Sequence, residues 1–91
     1  MYQLDYTNRF KRSLKLCQRR GYDLTKLYEA IKILARDGRL PERFRPHLLQ
    51  GNRRGQWECH IQPDWLLVWE QYDDRLLLVM LDTGTYADLF G

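Results

Sequence analysis

Between residues 56 and 81 three strand-like runs follow one another with almost no chain between them, and this crowding constrains the fold most. Residues 56–62 alternate, with Trp57, Cys59 and Ile61 on one side and Glu58, His60 and Gln62 on the other. Residues 65–70 and 75–81 are nearly continuous apolar runs, the pattern of central strands covered on both faces. Pro63-Asp64 and Tyr72-Asp73-Asp74 read as the turns between them. A parallel crossover needs a dozen or more residues, so strands this close form an antiparallel meander.

The first half reads differently. Residues 2–6 alternate and make a short first strand. Thr7 or Asn8 can cap a helix over about 8–20, with Phe10, Leu14 and Cys17 at helical spacing and Gly21 as its stop. Asp23 caps a second helix over 23–37, whose Leu24, Leu27, Tyr28, Ile31, Leu34 and Ala35 form the cleanest amphipathic stripe in the chain. Gly38 ends it, and the short link predicts an antiparallel helical hairpin. Residues 40–55 hold Pro41, Pro46, Gly51 and Gly55 among arginines and read as a basic, turn-rich connection, with a possible short strand over 47–50. The expected architecture is α+β: an N-terminal helical hairpin packed on a small, mainly antiparallel sheet, followed by a short tail.

At 91 residues, with no repeat and no linker rich in Ser and Gly, one domain over 1–91 is expected. The longest apolar run, residues 76–81, is too short to span a bilayer. The first residues lack a basic stretch leading into an apolar one, so no signal peptide and a cytoplasmic location are expected. Two cysteines are too few for a disulfide scaffold or a zinc site of their own. The net charge of +3 hides an asymmetry: residues 1–54 carry fourteen Lys and Arg against five Asp and Glu, residues 55–91 one against seven. That split suits a polyanion on the first half, although solvated helix faces give a similar count.

No phosphate-loop, dinucleotide or zinc-protease motif occurs. A metal site from His47, Cys59, His60 and Asp64 is disfavoured, because adjacent strand residues point to opposite faces. No cofactor is expected. Cys59 alternates with Trp57 and Ile61 and reads as core, not as a nucleophile. The informative set is His60 on the polar side of its strand, Asp64 and Trp65 just after it, and His47 near Arg53 and Arg54. Cutting RNA without a metal needs a base for the 2′-hydroxyl, an acid for the departing 5′-oxygen, and cations for the phosphate. Histidines, a carboxylate, arginines and an aromatic that stacks on a base supply those roles. Equally, a lone strand histidine is often only hydrogen-bonded, and Trp65 can simply complete the core.

The segments His47-Leu48-Leu49-Gln50-Gly51, Gly55, His60-Ile61-Gln62-Pro63-Asp64-Trp65 and Asp82-Thr83-Gly84-Thr85-Tyr86-Ala87-Asp88-Leu89-Phe90 resemble the YafQ branch of the RelE-like toxins. These are mRNA interferases of bacterial type II toxin–antitoxin systems, and the resemblance spans essentially the whole chain. It implies a ribosome-dependent endoribonuclease that cuts mRNA in the A site and is silenced by a cognate antitoxin, acidic and partly disordered, of the DinJ or RelB kind. Carried over by position, His47, His60, Asp64, Trp65 and Phe90 match family residues implicated in catalysis or mRNA placement. On chemistry, His60 and Asp64 form the base-and-orienting pair, and His47 assists proton transfer or holds phosphate. Arg53 and Arg54 bind the RNA, and Trp65 and Phe90 position the nucleotide.

Two departures stand out. The family ending usually reads Arg-Thr-Gly-[Ser/Thr]-His, whereas here Asp82 replaces the arginine and Tyr86 the histidine. Tyrosine, with a reference pKa near 10, is a poorer acid than histidine near 6.5. Tyr86 is nevertheless the fourth catalytic candidate. The alternatives are a catalytically quiet relative that only binds an antitoxin or the ribosome, and a plain RNA-binding domain.

Overall fold

Pro63 and Asp64 form the two-residue turn, and the sheet is registered from it. The computed structural model describes residues 1–91, with β3 (Trp57–Gln62) and β4 (Trp65–Tyr72) antiparallel and Gln62 opposite Trp65. β4 then pairs antiparallel with β5 (Leu77–Gly84). The second turn is displaced from its expected place. β4 continues through Tyr72, residues Asp73–Arg75 make one 3₁₀ turn, and Leu76 sits at φ 48° before β5 starts at Leu77. β5 also outruns the expected Leu81, because Asp82 and Thr83 are buried and paired.

The outer strands come from elsewhere in the chain. β1 (Gln3–Tyr6) lies parallel to β5 at one edge, and β2 (His47–Leu48) lies antiparallel to β3 at the other. The order is β1-β5-β4-β3-β2, mainly antiparallel as expected.

Two helices cover one face. Thr7 accepts from Phe10 N at 3.0 Å to start α1 (Asn8–Arg19), and Asp23 accepts from Thr25 N at 3.1 Å to start α2 (Leu24–Asp37). Gly38 ends α2 at φ 72°, and a Cβ there would meet the Tyr2 ring at 2.7 Å, so both backbone and packing require glycine. Phe10, Cys17, Leu27, Ile31 and Leu34 meet Cys59, Trp65, Leu67, Trp69, Leu78 and Met80 in the main core. Burial pushes the Cys59 thiol well above its usual range, as expected of an inert core cysteine.

The other face is covered by what the sequence reading treated as a tail. Residues Tyr86–Phe90 form a short helix, α3, whose Leu89 packs on Leu66 and Val68 with Leu49, Leu81 and Phe90 around them. β4 is thus buried on both sides, which explains its unbroken apolar run. No helix is long and apolar enough to cross a membrane.

Candidate active site

Strand register assembles the site. His47, Glu58, Val68 and Asp82 stand opposite one another across β2, β3, β4 and β5, and His60, Leu66 and Gly84 form the next row. Cross-strand partners share a face, so His47, Glu58 and His60 lie on the α3 side of the sheet. Cys59 lies on the helix side, within the main core.

Glu58 is the centre of this group. It is only 6% exposed, with Oε1 3.2 Å from His47 Nε2 and 4.0 Å from His60 Nε2. Each histidine turns its other nitrogen to a carbonyl: His47 Nδ1 to Arg45 O and His60 Nδ1 to Pro63 O, both at 3.1 Å. A carbonyl can only accept, so Nδ1 carries the proton in both rings. His60 therefore presents Nε2 as the basic nitrogen. Both nitrogens of His47 face oxygen atoms, Arg45 O and Glu58 Oε1. Arg45 sits at φ 49°, a left-handed conformation costly for arginine, where its carbonyl meets the His47 ring.

α3 closes the site from above. Thr85 caps it in a reciprocal box with Asp88, and Asp64 Oδ1 accepts from Tyr86 N at 2.9 Å, placing a second carboxylate at the helix start. Gly84 (φ 153°) has no room for a Cβ, which would come within 2.7 Å of Asp88 Oδ2. Arg53 binds the far end: Nη2 donates to Leu89 O at 2.9 Å, Nη1 to Gln56 Oε1 at 3.1 Å, and the guanidinium lies 4.8 Å over the Phe90 ring. Tyr86 is 63% exposed and its ring centroid is 5.0 Å from that of Phe90. His60 also borders a depression of about 200 Å³ with Arg43 and Arg45. The largest depression, about 420 Å³ and mostly apolar, lies between β1 and α2 and shares no residue with the histidines.

The sequence-derived candidates divide accordingly. His47 and His60 meet at Glu58, while Asp64, Tyr86, Phe90 and Arg53 meet around α3, and the β3–β4 turn joins the two groups through Pro63 O and Asp64 Oδ1. Trp65 joins neither. It is 1% exposed, its indole nitrogen donates to Thr83 Oγ1 at 2.9 Å and its ring packs 4.8 Å from that of Tyr22, so no base can stack on it. Arg54 is exposed and its side chain makes no hydrogen bond or ion pair, unlike Arg53 beside it. Asp64 does not orient His60; the Pro63 carbonyl does, and Asp64 orients α3 instead. Glu58, Arg43 and Arg45 were not singled out as site residues. The available signal was Glu58 itself, a carboxylate between Trp57 and Cys59 and two residues before His60.

α3 is also tied down by charge. Arg20 grips Asp88 through Nη1 at 2.6 Å and Nη2 at 3.1 Å. This guanidinium, helped by the Thr85 N–H, holds the Asp88 carboxyl far below the usual carboxylate range. A depressed folded pKa contributes stability that is complete above the unfolded value near 3.9 and is lost as pH falls below it. The side chain is 28% exposed, so screening and the lost cap together set the cost of Asp88→Asn at about 1–2 kcal/mol at pH 7. Urea midpoints should converge for parent and variant on going from pH 7 towards pH 2. An equal gap at both pH values would show that the carboxylate charge is not what holds α3.

Two helices on one face of a five-stranded, mainly antiparallel sheet, with a short C-terminal helix on the other, make the α+β fold of the small RelE-like toxins. The sequence model described as "Bacterial toxin of type II toxin-antitoxin system, YafQ" matches residues 2–91, and the chain belongs to this family. It is 35% identical over 89 residues to the mRNA interferase toxin YafQ of Escherichia coli (strain K12), covering 97% of this chain and 95% of that one. The crystal structure of YafQ from E. coli strain BL21(DE3) superimposes with a TM-score of 0.92 at 34% identity, over 100% of both chains. The toxin in the crystal structure of the E. coli DinJ–YafQ complex does so with a TM-score of 0.90 at 34% identity, again over 100% of both.

Proposed function

We propose that the chain is an mRNA interferase, an endoribonuclease toxin that cuts mRNA in the ribosomal A site in the cytoplasm, and that an acidic, partly disordered antitoxin of the DinJ kind silences it. The observation that carries this is the pair of histidines converging on one buried carboxylate, Glu58. His60 Nε2 takes the proton from a 2′-hydroxyl, whose oxygen attacks the adjacent phosphorus. The bond to the 5′-oxygen breaks and that oxygen receives a proton from His47 or Tyr86, leaving a 2′,3′-cyclic phosphate and a 5′-hydroxyl. Arg53 and the arginines beside His60 offset the phosphate charge. The basic first half supplies the complement for an acidic antitoxin segment that folds on binding.

Mapping transcript 5′ ends after brief induction tests the reading. Cuts within codons, in frame with translation, are expected; an unchanged set of 5′ ends overturns it. The quiet-relative alternative rests on Asp82 and Tyr86, and Tyr86→Phe addresses the second. With the phenol as acid, this variant slows single-turnover cleavage about 10²-fold or more, leaves ribosome binding near the parent's, and Tyr86→His preserves or raises the rate. Full activity in Tyr86→Phe transfers the acid role to His47.

A further inference from the structure

We infer that Arg9, aimed by the buried carboxylate of Asp82, forms with Arg53 a cleft that binds an RNA phosphodiester beside the one being cut. Asp82 is 4% exposed, and both its oxygens are engaged. Oδ1 accepts from Ser13 Oγ and from Thr83 N, and Oδ2 accepts from Arg9 Nε at 2.9 Å. Burying a carboxylate is expensive unless it is paired, and a hydrophobic residue would serve stability as well. The charge therefore has another use: it fixes a guanidinium.

How Arg9 is held matters. Arg20 meets Asp88 through both terminal nitrogens, which spends the fork on the protein. Arg9 meets Asp82 through Nε alone, so Nη1 and Nη2 have no protein partner and the side chain is 64% exposed. Thr7, Arg9, Arg53, Gln56, Leu81 and Asp82 line a cleft of about 250 Å³. Arg53 reaches it with both terminal nitrogens held by Gln56 and Leu89 O and its face over the Phe90 ring, so it contributes fixed charge and leaves the open fork to Arg9. Two guanidinium groups against one satisfied carboxylate leave the cleft with a single net positive charge. That matches a monoanionic phosphodiester, for which a guanidinium offers paired N–H donors.

Position supports the assignment. Asp82 is in the same cross-strand row as His47 and Glu58, two inter-strand spacings or about 10 Å from Glu58. Arg53 lines the cleft and also holds α3 through Leu89 O and the Phe90 ring, so one RNA strand crossing α3 meets both regions. The inference rests on the interferase reading only for its ligand class.

The test is fluorescence anisotropy of the full chain with a 2′-O-methylated single-stranded RNA, which is not cleaved by 2′-hydroxyl attack, over a salt series. Arg9→Gln, which can still donate to Asp82, is expected to weaken binding about tenfold at low salt and to reduce the salt slope by about 1. Lys15→Gln removes the same charge from an exposed position on α1 and is expected to change the slope less. Asp82→Asn is the sharper variant. It makes the protein more positive, yet it should bind RNA more weakly, because Arg9 is no longer aimed. Equal binding by Arg9→Gln and parent, an equal loss in Lys15→Gln, or tighter binding by Asp82→Asn overturns the proposal. If Asp82→Asn fails to fold, Arg9→Gln and Arg9→Lys decide it, the latter keeping the charge but losing the fork and therefore part of the affinity. The parent's cleavage of programmed ribosomes is scored separately, so a cleft that binds RNA in a protein that does not cut would fail only the interferase reading.

Discussion

His60→Gln is expected to slow single-turnover cleavage of mRNA on programmed ribosomes by about 10²–10⁴-fold while leaving the melting temperature close to the parent's. The ring is partly exposed, so little packing is lost, and the amide can still donate to the Pro63 carbonyl. What disappears is Nε2, the one nitrogen of that ring free to take a proton. Asp64→Asn separates this role from that of its neighbour. If Asp64 aims α3 and not His60, its variant loses part of the rate without altering the acidic limb of the pH profile. Near-parental cleavage by His60→Gln would move the base elsewhere, with Glu58 next in line by proximity to both histidines.

Trp65→Ala is expected to cost about 3–5 kcal/mol in urea denaturation, much of the roughly 5–15 kcal/mol that holds a domain of this size. The indole fills the contact between β4 and Tyr22, and its nitrogen is tied to Thr83, whose hydroxyl donates in turn to Leu66 O at 2.7 Å. Trp65→Phe keeps most of the volume and should fold with a smaller loss. A nucleotide-stacking residue would behave in the opposite way: both variants would keep full stability and lose only cleavage. That outcome would return Trp65 to the site.

The elements readable from sequence were those with local causes. Thr7, Asp23 and Gly38 mark helix ends through hydrogen bonds or dihedral angles within a few residues, and Pro63-Asp64 marks a turn by the same logic. α3 was missed because five residues carry no helical period; it exists through its capping box, Asp64 and a fork from Arg20, 68 residues away in sequence. Trp65 carried two readings, core residue and nucleotide platform, because an unbroken apolar run gives no clue to which face a residue takes; its burial favours the first. Glu58 gains its meaning from His47, a pairing set by register and not by spacing. Asp82 looked like the loss of an arginine. Its partner Arg9 lies 73 residues earlier, where no local pattern links them.

The β3–β4 turn carries more than its two residues suggest. Pro63 supplies the carbonyl that fixes His60, and Asp64 supplies the oxygen that seats the first turn of α3. Insertion of a single residue there would shift both anchors at once and flip the strand that follows. The stretch from Gln50 to Gly55 has no such double duty, since only Arg53 within it reaches α3. A change of length in that stretch would therefore disturb one anchor of α3, whereas the same change in the β3–β4 turn would disturb His60 and α3 together.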